Sequence, residues 1–102
     1  MKTILEGEKR NIAVTVKRNL GAGAIDLTTP QRRILDVNKV LITGFDWGSA
    51  IWDATNEKLY ALFDSTAAGL AAPAAYLMQL RGTIGQEIYI FQVTVQVKDL
   101  GP

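Results

Sequence analysis

The side chains of this 102-residue chain that could perform chemistry gather in the run Phe45-Asp-Trp-Gly-Ser-Ala-Ile-Trp-Asp53. Two carboxylates, Asp46 and Asp53, flank Gly48-Ser49, and a turn that set them face to face would give the acid and base of a glycosidase. Gly48 stands where a two-residue type II′ turn requires positive φ. That turn would pair Trp47 with Ala50 and Phe45 with Trp52, placing Phe45, Trp47 and Trp52 on one face. Such a row of rings could stack against sugars, with Asp46 or Asp53 bonding hydroxyls. In the same geometry, however, Asp46 falls opposite Ile51 and Asp53 lies beyond the hairpin end. No feature of the sequence argues for the burial that raises a carboxyl pKa. Turn-capping aspartates and core-filling aromatics account for the run more simply.

Other chemistry is short of reagents. The chain has no histidine and no cysteine, which removes the usual zinc ligands, the thiol nucleophile and every Ser-His or Cys-His arrangement. No catalytic residue, metal or cofactor is expected. Lys9-Arg10, Lys17-Arg18 and Arg32-Arg33 are three dibasic steps, but the formal charge is only +1 and no glycine cradle or helix-turn-helix accompanies them. They read as solvated strand ends, and nucleic acid is not expected as a partner. Membrane spans are not expected either, because no apolar run approaches the ~20 residues required. The first ten residues hold a two-residue apolar patch before charge returns, so no signal peptide is read and synthesis in the cytoplasm is the expectation.

The elements that must position these groups are strands. Tyr89, Phe91, Val93, Val95 and Val97 recur every second residue against Gln92, Thr94, Gln96 and Lys98, the signature of a half-buried strand. With the apolar run that starts at Ala74 and a loop over Gly82-Thr-Ile-Gly-Gln86, this predicts a long C-terminal hairpin with one apolar face. Alternation also predicts strands at Thr3 to Leu5, Asn11 to Lys17 and Lys58 to Phe63. Further strands are expected at Gln31 to Val37 and Lys39 to Phe45, with a turn at Asp36-Val37-Asn38. Ser65 to Leu70 reads as one turn of helix. About seven short strands separated by regular turn signals predict a single domain over residues 1–102, a two-sheet antiparallel sandwich. A small closed barrel satisfies the same pattern.

The second faces of these strands carry a separate signal. Tyr60, Leu62, Leu77, Ile88 and Ile90 all alternate away from the expected core. A free sandwich shows polar residues there, so five apolar ones predict a further covered surface: a loop folded over it, a homo-oligomer, or docking onto a larger assembly.

The order Ile25-Asp-Leu-Thr28, Trp52-Asp-Ala-Thr-Asn-Glu-Lys-Leu-Tyr-Ala-Leu-Phe-Asp-Ser-Thr-Ala-Ala-Gly-Leu70 and Pro73-Ala-Ala-Tyr-Leu-Met-Gln-Leu-Arg81 resembles small immunoglobulin-like sandwich proteins of phage and prophage genomes. The segment from Thr29 to Trp47 departs from that pattern. The resemblance implies an immunoglobulin-like fold and a non-enzymatic structural or assembly role near a tail or baseplate, with virion components as partners. It implies no site residues, because its motifs are turn chemistry.

Overall fold

Alternating apolar side chains can leave water only if two strand faces meet, and that requirement organises the chain. A computed structural model describes residues 2–16, 25–67, 69–70 and 74–99. The strands are β1 (Lys2–Leu5), β2 (Lys9–Thr15), β3 (Leu27–Asp36), β4 (Gly48–Ser49), β5 (Ile51–Asp53), β6 (Lys58–Asp64), β7 (Ala74–Ile84) and β8 (Glu87–Lys98). One sheet has the order β1-β8-β7-β3-β4 and the other β2-β6-β5. No helix occurs among the described residues. The fold is therefore all-β and sandwich-like, with two separate sheets rather than a closed barrel.

The core lies between the sheets. Ile4, Ile34, Met78, Leu80, Val95 and Val97 of the larger sheet meet Ile12, Leu59 and Phe63 of the smaller, and each is at most 2% exposed. The Phe63 and Tyr76 rings tilt against each other with centroids 6.0 Å apart. Burying side chains of this size is worth about 1.5–3 kcal/mol apiece, which makes this layer the main source of stability.

The sheets differ in length. At roughly 3.3 Å per residue β8 spans about 40 Å, whereas β6 spans about 23 Å. The β7–β8 hairpin therefore outruns its cover. On one face of β8, Val95 and Val97 are fully buried, Phe91 and Val93 partly so, and Tyr89 is 41% exposed. The molecule is drawn out accordingly, to 52 × 23 × 19 Å.

Several sequence expectations need correction. Strand β1 pairs parallel to β8, so the larger sheet is mixed rather than antiparallel; alternation reveals a strand's faces but not its direction. Lys39 to Phe45 is no strand. It runs along the outer edge of β3 as an irregular strap, with Asp36 N–H donating to the Val40 carbonyl (2.8 Å) and Ile34 N–H to the Phe45 carbonyl (3.0 Å). The Asp36 turn does form, its carboxylate accepting from the N–H groups of Asn38 and Val40. Gly48-Ser49 is not a hairpin turn; it pairs with Gln31 and Arg32 as β4. Around the expected helix the described residues 64–67 and 69–70 show turn bonds (Ala67 N–H to the Asp64 carbonyl, Leu70 N–H to the Ala67 carbonyl) and no helix. The second strand ends at Thr15, and Lys17 and Arg18 lie outside the described residues.

The hairpin loop is also shorter than expected. Ile84 pairs with Glu87 across a two-residue turn at Gly85-Gln86, with φ +64° at Gly85 as a type II′ turn requires at its first central position. Gly82 belongs to β7, opposite Tyr89, and is glycine for a steric reason. A Cβ there would lie 2.5–2.8 Å from the branched end of the Leu27 side chain. Leu27 reaches this place because β3 carries a bulge between Thr28 and Gln31, where Thr29 has φ +52°. Gly82→Ala is expected to lower stability by about 1–3 kcal/mol in urea unfolding, as overpacking does. In that background Leu27→Ala should cost clearly less than in the wild type, which a double-mutant cycle reads directly.

Candidate interaction surface

The aromatic run does not assemble into one face. Pairing of Trp52 with Leu59 turns the Trp52 indole inward, onto the core cluster. Its Nε1–H is buried without an acceptor. Phe45 also packs against the core and lies under the Arg32 guanidinium, 5.4 Å from the ring centroid. Trp47 alone goes to the outer side of the larger sheet. The expected pairings of Trp47 with Ala50 and Phe45 with Trp52 fail because the local turn they need is replaced by long-range pairing to β3.

The two aspartates are turn formers. Asp46 Oδ1 accepts from its neighbour Trp47 N–H (2.7 Å), and its carbonyl accepts from Arg32 Nη1 (2.9 Å). Asp53 accepts from the N–H groups of Thr55 and Asn56 and from Asn56 Nδ2 (2.8 Å). The Asn56 side chain, followed by its N–H, holds the Asp53 carboxyl below the usual carboxylate range. That shift is opposite to the one a general acid needs. Asp64 is lowered in the same way, first by the Thr66 hydroxyl and then by its N–H. Among the described residues no group of three or more Asp or Glu gathers closely enough to hold a metal ion.

On the outer side of the larger sheet, Trp47 lies against two cations that the dibasic reading did not place. The Arg81 guanidinium is 3.8 Å from the Trp47 ring centroid and that of Arg33 is 4.6 Å away. Arg81 donates through Nε and Nη2 to Gln31 Oε1, Arg33 Nε donates to Gln79 Oε1 (2.6 Å), and Gln79 Nε2 donates on to Gln92. Arg32-Arg33 is thus in mid-strand, not at a solvated end, while Lys9-Arg10 does begin β2. The signal was present as two Gln-x-Arg units, Gln31-Arg-Arg33 and Gln79-Leu-Arg81, which antiparallel pairing sets Gln opposite Arg in both directions.

The five apolar residues on second faces divide between two sheets, so they do not form one patch. Leu62 (51% exposed) and half-buried Tyr60 lie on the outer side of the smaller sheet, where Ile51 (53%) pairs with Tyr60. Tyr60 lines an open depression of about 440 Å³ with Asn11, Ala13, Asp53, Asn56 and Lys58. Leu77, Ile88 and Ile90 are on the outer side of the larger sheet. Leu77 is already covered (8%), paired with Leu35, itself 5% exposed. Ile88 (65%) and Ile90 (55%) stand open on the projecting half of β8.

The edges of the sheets differ as sharply as their faces. β3 is closed by β4, the Val40–Phe45 strap and the Ala50 N–H bond to the Pro30 carbonyl (3.2 Å). β2 carries Lys9 and Arg10 along its edge, and β5 is only three residues long. Charge and shortness are common ways of discouraging stray strand pairing. On β8, β1 covers only Val95 to Lys98. From Ile88 to Thr94 no described strand pairs with its outer edge, and that segment holds no charge, proline or bulge.

Comparison with protein-family models, with curated proteins and with solved structures finds no match to this chain.

Two outcomes follow. Removing the unsatisfied indole N–H offsets part of the lost ring area, so Trp52→Phe should change stability by no more than about 1 kcal/mol, whereas Trp52→Ala should lose about 3–5 kcal/mol in denaturant unfolding. The pH dependence follows from Asp53 and Asp64. Their folded pKa values are depressed, so their contribution is complete above the unfolded-state value and is lost as pH falls through the folded value. Thermal midpoints should therefore drop on the acid side of the ordinary carboxylate range, and more gently in the double variant Asp53→Asn, Asp64→Asn.

Proposed function

We propose that this protein is a non-enzymatic structural or assembly module of phage or prophage origin, an immunoglobulin-like sandwich that works by docking to other subunits. The observation that carries the docking reading is the exposure of large apolar side chains on regular strand surfaces, with Ile51, Leu62, Ile88 and Ile90 each more than half exposed. Patches of this kind favour association over a solitary existence in water. The phage assignment rests on the turn motifs from Ile25 to Arg81, and implies synthesis in the cytoplasm followed by incorporation in a virion, near tail or baseplate. A sugar-binding role would need the shared platform of Phe45, Trp47 and Trp52, whose rings point to different places.

Replacing an exposed apolar side chain by a charge tests the reading. Leu62→Asp or Ile90→Asp should lower the mass seen by light scattering while leaving the β-sheet circular dichroism intact. A wild-type protein that stays monomeric at high concentration, with no subunit bound, contradicts it.

A further inference from the structure

The outer face of the larger sheet is cationic and carries no acid. Pairing sets Arg33 opposite Gln79 and Arg81 opposite Gln31 between β3 and β7, and Ile90 opposite Arg81 between β7 and β8. Because side chains alternate along each strand, all of these point away from the core. The acids in the strands of this sheet, Asp36 and Glu87, pair with Tyr76 and Ile84 and so have the opposite parity. Asp46, next to Trp47 in the chain, turns its carboxylate to the Trp47 N–H (2.7 Å). Among the described residues the ion pairs are Lys9–Asp64 and Arg10–Glu8, both made by β2.

Two half-buried guanidiniums therefore converge on the Trp47 ring without a counter-charge. Like charges at such range repel, and the group is held together by the indole and by glutamines. Arg33 Nε donates to Gln79, while Arg81 Nε and Nη2 donate to Gln31. These contacts leave both terminal nitrogens of Arg33 and Nη1 of Arg81 with no hydrogen bond to a described residue. Stacking and the Nε bonds fix the plane of each group, so the remaining N–H donors are already oriented. A carboxylate, which accepts from guanidinium N–H groups in pairs, fits such donors.

Apolar surface adjoins them directly. Ile90, opposite Arg81, is 55% exposed, and Ile88, two residues nearer the tip on the same face, is 65% exposed. Tryptophan and arginine next to large apolar side chains, with acids absent, is the composition of an interface centre.

We propose that this face docks a segment of a partner subunit in which a carboxylate side chain stands beside apolar ones. Arg33 and Arg81 bind the carboxylate, and the apolar part lies over Ile88 and Ile90. This deepens the docking reading and rests on it. Charge complementarity selects the occupant. A neutral apolar partner would desolvate two cations without compensating them, and a bare phosphate would leave the isoleucines in water. An acidic and apolar segment meets both requirements.

Two matched peptides read this chemistry in the full-length protein by nuclear magnetic resonance. Acetylated and amidated Leu-Leu-Glu-Glu should shift the amide signals of Arg33, Arg81 and Ile90 and the Trp47 indole N–H. It should bind at least about tenfold more tightly than its twin Leu-Leu-Gln-Gln, the difference expected of charge-assisted hydrogen bonds. Added salt should shrink that preference. Arg81→Gln should abolish it and leave the weak binding common to both peptides. A second variant needs no loss of arginine: Ile90→Asp sets a carboxylate opposite Arg81 and should also abolish the preference, by occupying the guanidinium from within, whereas Ile90→Asn should keep it. Equal binding of the two peptides by the wild type, or no shift with either, overturns the proposal. A site that takes inorganic polyphosphate but neither peptide is a phosphate site and overturns it as well. If the peptides are not told apart while Leu62→Asp still lowers the mass seen by light scattering, docking stands and the acidic assignment alone falls.

Discussion

Everything in this molecule depends on burying one row of alternating side chains against another. Ile12, Leu59 and Phe63 supply one side, and Ile34, Met78, Leu80, Val95 and Val97 the other. The interaction is non-directional and grows with area, so it holds the sheets together without dictating that they be equally long. The smaller sheet runs out before the larger one does. The gradient along β8, from sealed Val97 to open Tyr89, is the direct result.

That inequality separates the part of the hairpin that makes stability from the part free for other use. Next to the core, β8 is flanked on both sides, by β7 and by β1. Beyond Val95 toward the tip, among the described residues, it is flanked by β7 alone. The tip still keeps its shape, because Gly85 permits the tight turn and Gly82 yields room for Leu27 to lock β3 onto it. A stiff two-stranded arm with exposed Ile88 and Ile90 follows from these local choices. On the outer side of the same sheet, Trp47 lies against Arg33 and Arg81, whose Nε–H groups donate to glutamine side chains; stacking of this kind is worth about 0.5–2 kcal/mol. It also occupies an aromatic ring that would otherwise be free to meet a ligand.

Much of the fold was legible because period-two alternation is a local property. Strands β2, β6, β7 and β8 and the buried face of each follow from residues such as Leu59, Ala61 and Phe63 alone. What alternation cannot carry is partner choice. The apolar triple Val40-Leu41-Ile42 has the look of a strand, yet Val40 is 59% exposed and the segment serves as a strap along β3. Gly48-Ser49 has the composition of a tight turn, but pairing with Gln31 and Arg32 over a distance outweighs it. Tyr60 and Leu62 were rightly set apart from the core by parity. Parity does not say which sheet a residue belongs to, so their separation from Ile88 and Ile90 was invisible. The open edge of β8 was equally hidden, since it depends on where β1 stops.

Amide hydrogen exchange followed residue by residue tests the central claim of an unequal two-sheet core. The account predicts that Phe63, Met78, Val95 and Val97 exchange only with global unfolding. In dilute solution Ile88, Ile90 and Gln92 should exchange orders of magnitude faster than these, then slow as the protein is concentrated. Uniform protection along β8 at every concentration, or fast exchange at Met78 and Val95, would contradict it.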